Sequence, residues 1–381
     1  MANTKRLRSL GGVKWSRYGP DVLPAWVADM DFDQAPAIKQ AMRSMVETGD
    51  LGYHFDALDS LTDTWLDWQE RNHQWRPPRD EVWQFTGALH GAGMVMSQLT
   101  RPGDGIVIFS PIYAPFRDAI IHGGRRVVDV PLDDGTWRLN APRFEAALDP
   151  DTRVVLFCQP HNPTGRIFDR DELGAFADVV ERHDLTVVSD EVWADLAHDP
   201  HSHLPLALAD QRLPERTITL GSASKAFNLA GLRCALAHVG SPTTRAALEA
   251  LPGHALGGPS SISALAAVAA WTESDDWLAK TRAEIAERLD QVVRRLSAEV
   301  PEVGFTVPES TYLVWLDFRR TTLGDNPAKV LLKKAGVALD PGLKFGAQGA
   351  GHARLNIATS EQILDQILDR VTNAILGGVT P

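Results

Sequence analysis

Apolar and polar positions give this chain two textures. From about residue 81 to residue 255, short runs rich in β-branched and aromatic residues alternate with stretches of helical spacing. The runs Val82–Phe85, Ile106–Phe109, Val127–Val130, Val154–Phe157, Thr186–Ser189, Thr217–Leu220 and Ala235–Val239 predict strands, with helices over Leu89–Leu99, Phe116–His122 and Glu172–Arg182. Such alternation implies a largely parallel sheet covered on both faces. Past the Gly/Pro-rich stretch Pro252–Pro259 the spacing turns helical, from Ser263 to about Val300, with Ile285, Leu289, Val292 and Leu296 in series. A strand at Tyr312–Phe318, a helix at Pro327–Ala335, a strand at Ala353–Ile357 and a helix at Ser360–Leu376 complete a smaller α+β unit.

Ahead of the alternation, Pro20, Pro24 and Pro36 precede an amphipathic helix near Ala37–Val46, and Leu58–Gln69 has helical spacing with Leu61, Trp65 and Trp68 on one side. The expected organisation is an arm at 1–45 packing with the small domain, a large domain at 46–255 and a small domain at 256–381. Trp65, Trp68, Trp75 and Trp83 are expected as core aromatics rather than a stacking platform for nucleic acid.

Composition narrows the class. The 381 residues are 44% apolar and 23% charged, ordinary for a globular protein. A net charge of −11 argues against a nucleic-acid surface. The longest apolar run, Ala264 to Trp271, is too short to cross a bilayer. No apolar segment follows the basic start, so a secretory signal is not expected, and with two cysteines that read as free thiols a cytoplasmic protein is expected. Cys158 and Cys234 sit in apolar segments and read as buried free thiols. His198, His201 and His203 suggest a metal by type, but their Asp- and Pro-containing surroundings read as an exposed loop.

The chemistry gathers at strand ends, where open α/β sheets bind ligands. Val82–Phe85 runs into Thr86-Gly87-Ala88-Leu89, whose free N–H groups would receive a phosphate if they open a helix. Val154–Phe157 leads to Gln159-Pro160-His161-Asn162-Pro163-Thr164-Gly165, a stiffened loop carrying one donor–acceptor side chain. Thr186–Ser189 ends in Asp190-Glu191, and Thr217–Leu220 delivers Ser222, Ser224, Lys225 and Arg233. Hydroxyls with a guanidinium suit a phosphate, and an amine beside them suits a Schiff base to a phosphorylated aldehyde. Together they point to pyridoxal 5'-phosphate.

The spacing of Asn162, Asp190, Lys225 and Arg233 resembles the class I/II aminotransferase superfamily over nearly the whole chain. Leu23–Phe32, Ser110–Phe116, His161–Gly165 and Gly351–Asn356 are similar to the MalY/PatB branch, the cystathionine β-lyase-like C–S lyases. The resemblance implies an aspartate aminotransferase-like, fold type I α/β architecture, with a mostly parallel seven-stranded sheet and a smaller α+β domain. It further implies that Lys225 anchors the cofactor and moves protons, Asp190 pairs with the ring nitrogen, Asn162 meets the ring hydroxyl and Tyr113 stacks on the ring. Phosphate contacts would come from the Ala88 and Leu89 amides, Ser222, Ser224 and Arg233, and from Tyr53 of a neighbouring subunit in a homodimer with shared sites. Arg354, with Asn162, would hold the substrate α-carboxylate as a bidentate pair. Trp193 departs from the pattern, standing where aminotransferases usually carry Tyr and the C–S lyases His; indole donates one hydrogen bond but neither accepts nor titrates. The expected activity is a C–S β-lyase acting on cystathionine or another cysteine S-conjugate. The alternatives are an aminotransferase or a decarboxylating and deaminating enzyme. A purely regulatory protein fits less well with Lys225, Asp190 and Arg354 all in place.

Overall fold

The computed structural model describes residues 4–252 and 254–377. Its strands are β1 (Leu23–Ala25), β2 (Val82–Phe85), β3 (Gly105–Ser110), β4 (Arg126–Pro131), β5 (Thr152–Cys158), β6 (Thr186–Asp190), β7 (Thr217–Gly221), β8 (Ala235–Val239), β9 (Gly304–Phe305), β10 (Leu313–Asp317), β11 (Val337–Pro341) and β12 (His352–Asn356). Seven form one sheet in the order β2-β8-β7-β6-β5-β3-β4. Every neighbouring pair is parallel except those involving β8, which runs against both β2 and β7. All seven follow the predicted runs, lengthened by up to two residues at an end.

Strand alternation divides the large sheet's side chains between two apolar layers. Val107, Phe109, Val155 and Phe157 enter one cluster, packed on Phe144, Phe168 and Phe176. Ile106, Ile108, Val154 and Leu156 enter the other, against Val95, Met96 and Phe116. Register then aligns the strand ends: Cys158 lies opposite Asp190, and Asp190 opposite Leu220. The loops that follow β5, β6 and β7 therefore start at one level along one edge. β2 points the same way, so the helix Ala88–Leu99 begins there too. Gly221 lets this edge close on the helix Phe55–His73, since an added Cβ would lie 2.6 Å from Trp65 Nε1.

The second sheet has the order β1-β11-β12-β10-β9. β1 comes from the arm and pairs in parallel with β11, as an edge strand that tolerates Pro24. Neither β1 nor β11 is evident in the apolar pattern: one is three residues long, and the other, Val-Ala-Leu-Asp-Pro, reads as the tail of the preceding helix. The long helical stretch expected after Ser263 is two helices, Ser261–Glu273 and Asp275–Glu299, separated at Ser274. Trp65, Trp68 and Trp75 are buried as expected, but Trp83 is only half-buried, as is Cys234. His203 is not on an exposed loop: it is buried, with Nε2 2.7 Å from Glu191 Oε2, while His201 is exposed. No helix among the described residues is long and apolar enough to cross a membrane.

The arm is bolted at its backbone. Asn356 Nδ2 donates to the Val27 and Asp29 carbonyls at 2.7 Å each, and Asn228 exchanges bonds of 2.9 and 3.1 Å with the N–H and carbonyl of Met30. Lys14 forms a buried ion pair with Asp31 at 2.9 Å, and Trp15 Nε1 donates to the same carboxylate at 2.7 Å. Deleting the buried Asn356 amide removes both of its bonds to the arm and takes the acceptor from the Ala358 N–H, so Asn356→Ala is expected to lose about 2–4 kcal/mol of stability. Thermal unfolding should show the lowered midpoint, and limited proteolysis should then cut the arm first.

Candidate active site

The loops that begin at this common edge, together with the arm and the second sheet, enclose a cavity of about 490 Å³. It brings together Ala88, Leu89, Tyr113, Asn162, Asp190, Trp193, Ser222, Ser224, Lys225, Arg233 and Arg354. Tyr53 lies outside it, 93% exposed and stacked on Phe55.

At one end, the helix Ala88–Leu99 opens after Gly87, and its first N–H groups have no intrahelical acceptor. Arg233 lies against that opening: a Cβ on Gly87 would sit 3.6 Å from its Nε. The Arg233 guanidinium makes no hydrogen bond or ion pair with any described residue. Arg233 holds a left-handed backbone, φ 60°, at the end of a short turn, which places it where β8 begins. Ser222 Oγ lies 2.6 Å from the Cys234 carbonyl oxygen and 3.0 Å from Ser224 Oγ. Hydroxyls, a free guanidinium and a helix N-terminus make an anion site.

In the middle, Asp190 closes β6 and is buried; burial pushes its carboxyl up from 3.8 to about 7, against a hydrogen bond from the Val192 N–H. Lys225 is near, and burial pushes its amine down from the ordinary lysine value. Lys225 Nζ donates to the Ala28 carbonyl at 3.3 Å and lies 5.4 Å from the centre of the Trp193 ring. Trp193 is buried edge-on to Tyr312, with centroids 5.0 Å apart, and Tyr312 Oη donates to the same Ala28 carbonyl at 2.9 Å. Tyr113 caps the helix Ala114–His122 at the outer wall, where burial raises its hydroxyl above the usual tyrosine value.

At the far side stands Arg354, on β12 and fully enclosed. Its Nη1 donates to Asn162 Oδ1 at 2.8 Å, and its Nη2 to Asp340 Oδ2 at 2.8 Å and the Trp26 carbonyl at 3.0 Å. Burial alone pushes this guanidinium down, and the Asp340 carboxylate opposes that. Nε has no partner among the described residues. Asp340 also meets Lys344 at 3.0 Å.

Several of these groups escape a sequence reading. Asp340 lies directly opposite Arg354 in the β11–β12 ladder, a pairing hidden until β11 is known. Asp29 and the carbonyls of Trp26 and Ala28 fall in the Trp26–Phe32 string, which marks a branch without revealing that the arm lines the cavity. No cluster of His, Cys, Asp and Glu suited to a metal occurs among the described residues.

Comparison with known proteins agrees with this geometry. The sequence pattern described as aminotransferase class I and II matches residues 26–371. The chain is 33% identical to the protein named cystathionine β-lyase PatB of Bacillus subtilis, covering 97% of this chain and 99% of that one. It is 32% identical to Protein MalY of Escherichia coli, over 94% and 93% of the two chains. Cystalysin of Treponema denticola, whose crystal structure contains pyridoxal 5'-phosphate, superposes with a TM-score of 0.90 at 28% identity, covering 97% of each chain. With the family pattern running through both sheets, the chain belongs to the class I and II aminotransferase family.

Proposed function

We propose that this protein is a pyridoxal 5'-phosphate-dependent carbon–sulfur lyase. It would cleave cystathionine or another L-cysteine S-conjugate to a thiol, pyruvate and ammonia. The observation that carries this reading is that an amine, a buried acid, a caged guanidinium and an unpaired guanidinium at a helix N-terminus line one cavity. The donor set fits the cofactor part by part. The free Arg233 guanidinium, the Ala88 and Leu89 amides and the Ser222–Ser224 hydroxyls suit its phosphate. Asp190, whose desolvated carboxyl is pushed up to about 7 despite the nearby Lys225 amine, suits a protonated ring nitrogen. Asn162 keeps its Nδ2 donors free for the ring hydroxyl, and Tyr113 offers an aromatic wall. The similarity to a protein named as a cystathionine β-lyase favours β-elimination among the reactions this site can support.

When bound, the cofactor supplies an electron sink for the pair left on the substrate Cα, a step common to these reactions. Lys225 is the base that takes the Cα proton, and its burial lowers the affinity that would otherwise keep it charged. Arg354 holds the α-carboxylate; its Nη groups are fixed by Asn162, Asp340 and the Trp26 carbonyl, and its Nε remains for the ligand. That fixes which Cα bond is presented to Lys225. Trp193 packs over the amine and brings no acceptor or titrating group to the cofactor side. The expected homodimer fits the exposed Leu51, Tyr53 and Phe55, which with Leu58 and Ile262 line an apolar depression. A second copy covering it would carry Tyr53 toward its neighbour's phosphate end.

Incubation with cystathionine and several S-alkylcysteines should release thiol and pyruvate in equal amounts, with Lys225→Ala slower by roughly a thousandfold or more. Turnover that instead requires a keto acid would assign transamination. Arg354→Lys should raise KM for the same substrates roughly 30-fold, equivalent to about 2 kcal/mol for one charge-assisted hydrogen bond, while kcat changes less. Asp190 gives a test without substrate. Its folded carboxyl titrates near 7 against 3.8 ordinarily, so in cofactor-free protein the stability it contributes is complete below the ordinary value. That contribution is lost as pH rises toward 7. Asp190→Asn should remove this part of the slope, read from urea midpoints at several pH values between about 4 and 7. An unchanged slope would place the carboxyl back at its ordinary value.

A further inference from the structure

Asp29 is a carboxylate in the cavity wall that the roles above do not use. It comes from the arm, is half-buried, and its side chain makes no hydrogen bond or ion pair with any described residue. Its backbone is nevertheless fixed from several sides. The Asp29 carbonyl accepts from Lys14 Nζ at 3.0 Å and from Asn356 Nδ2 at 2.7 Å, and its N–H donates to the Val27 carbonyl at 2.9 Å. The next N–H, of Met30, donates to Asn228 Oδ1 at 2.9 Å. The preceding carbonyl, of Ala28, accepts from both Lys225 Nζ and Tyr312 Oη. The backbone that carries this unpaired carboxylate is thus fixed, one residue from the atom that the Lys225 amine touches.

Two of the cations around it are engaged elsewhere, and the third stands at the other end of the cavity. Arg354 and Lys344 share Asp340, and Arg233 lies at the phosphate end beside Gly87. The groups acting on Lys225 are Asp29 from the arm, Asp190 from the end of β6, Arg354 from β12 and the Trp193 ring, with Tyr312 sharing the Ala28 carbonyl and Tyr113 on the outer wall of the same cavity. Burial lowers the proton affinity of the amine; Asp29 raises it most, Arg354 lowers it, and Asp190 raises it less than Asp29 does.

We propose that Asp29 is a positioning residue for Lys225, holding the amine, once it has taken the Cα proton, as an ammonium ion between its own carboxylate, the Ala28 carbonyl and the Trp193 ring. The consequence is a stored proton. The amine would take one proton from the substrate Cα, whose bonding pair a bound cofactor would accept. It would return that proton to sulfur, which leaves with the C–S electron pair as the pair from Cα closes the Cα–Cβ double bond, and would end neutral. Asp29 acts through charge and exchanges no proton. This role rests on Lys225 being the amine that anchors the cofactor.

The test follows modification of Lys225 by trinitrobenzenesulfonate against pH in the full chain freed of cofactor, with the labelled peptide quantified by mass spectrometry. Asp29→Asn and Asp29→Ser should each lower the midpoint by about one pH unit or more. Asp29→Glu, which restores the charge, should stay near the unaltered protein. Asp118→Asn, removing a carboxylate from the outer wall, should leave the midpoint in place. The same preparations, reloaded with pyridoxal 5'-phosphate and reduced with borohydride, report the anchor separately. Midpoints unmoved in both Asp29→Asn and Asp29→Ser, with the adduct still on Lys225, overturn the role of Asp29 and leave the cofactor reading intact. An adduct on another lysine overturns both.

Discussion

An amine, a carboxyl and a guanidinium are taken out of water at one place, and much of the structure answers to that constraint. Desolvating a charge is expensive unless opposite charges or hydrogen bonds replace the lost water. Arg354 is compensated within the protein by Asn162, Asp340 and the Trp26 carbonyl. Asp190 and Lys225 are compensated only in part, and their proton affinities move toward each other, the acid up and the amine down. Groups poised in this way respond to a ligand that carries the complementary charges.

The arm connects this electrostatic arrangement to the fold. A three-residue strand joins it to the second sheet, and asparagines from two different regions, Asn228 and Asn356, grip the peptide groups between Val27 and Met30. Its carbonyls then face the cavity as acceptors for Arg354, Lys225 and Tyr312. The two sheets therefore contribute to one site through a segment that belongs fully to neither. The loop carrying Lys225 also carries Asn228, so the amine and the arm are fixed by the same turn.

Much of this was legible in the chain because parallel strands buried on both faces leave unbroken apolar runs, and their ends carry the polar residues. Asp190, Lys225 and the Ser222–Arg233 cluster each follow such a run directly. What could not be read depends on contacts between distant segments. β11 is short and continues a helix, so Asp340 gave no sign that it would face Arg354. Asp29 lies in an extended arm with no periodicity to show what it covers. His203 looked exposed because its neighbours are polar, yet Glu191 draws it inward beneath the strand end. Local composition reports solvent exposure poorly where one buried acid can reorganise a loop.

The central claim is that these groups, far apart in sequence, hold one cofactor molecule. A crystal structure of the protein grown with pyridoxal 5'-phosphate tests it most directly. The account predicts density continuous with Lys225 Nζ, a ring nitrogen beside Asp190, and a phosphate seated between Arg233 and the Ala88–Leu89 amides. A cofactor bound with its phosphate at Arg354, or joined to a different lysine, would contradict it.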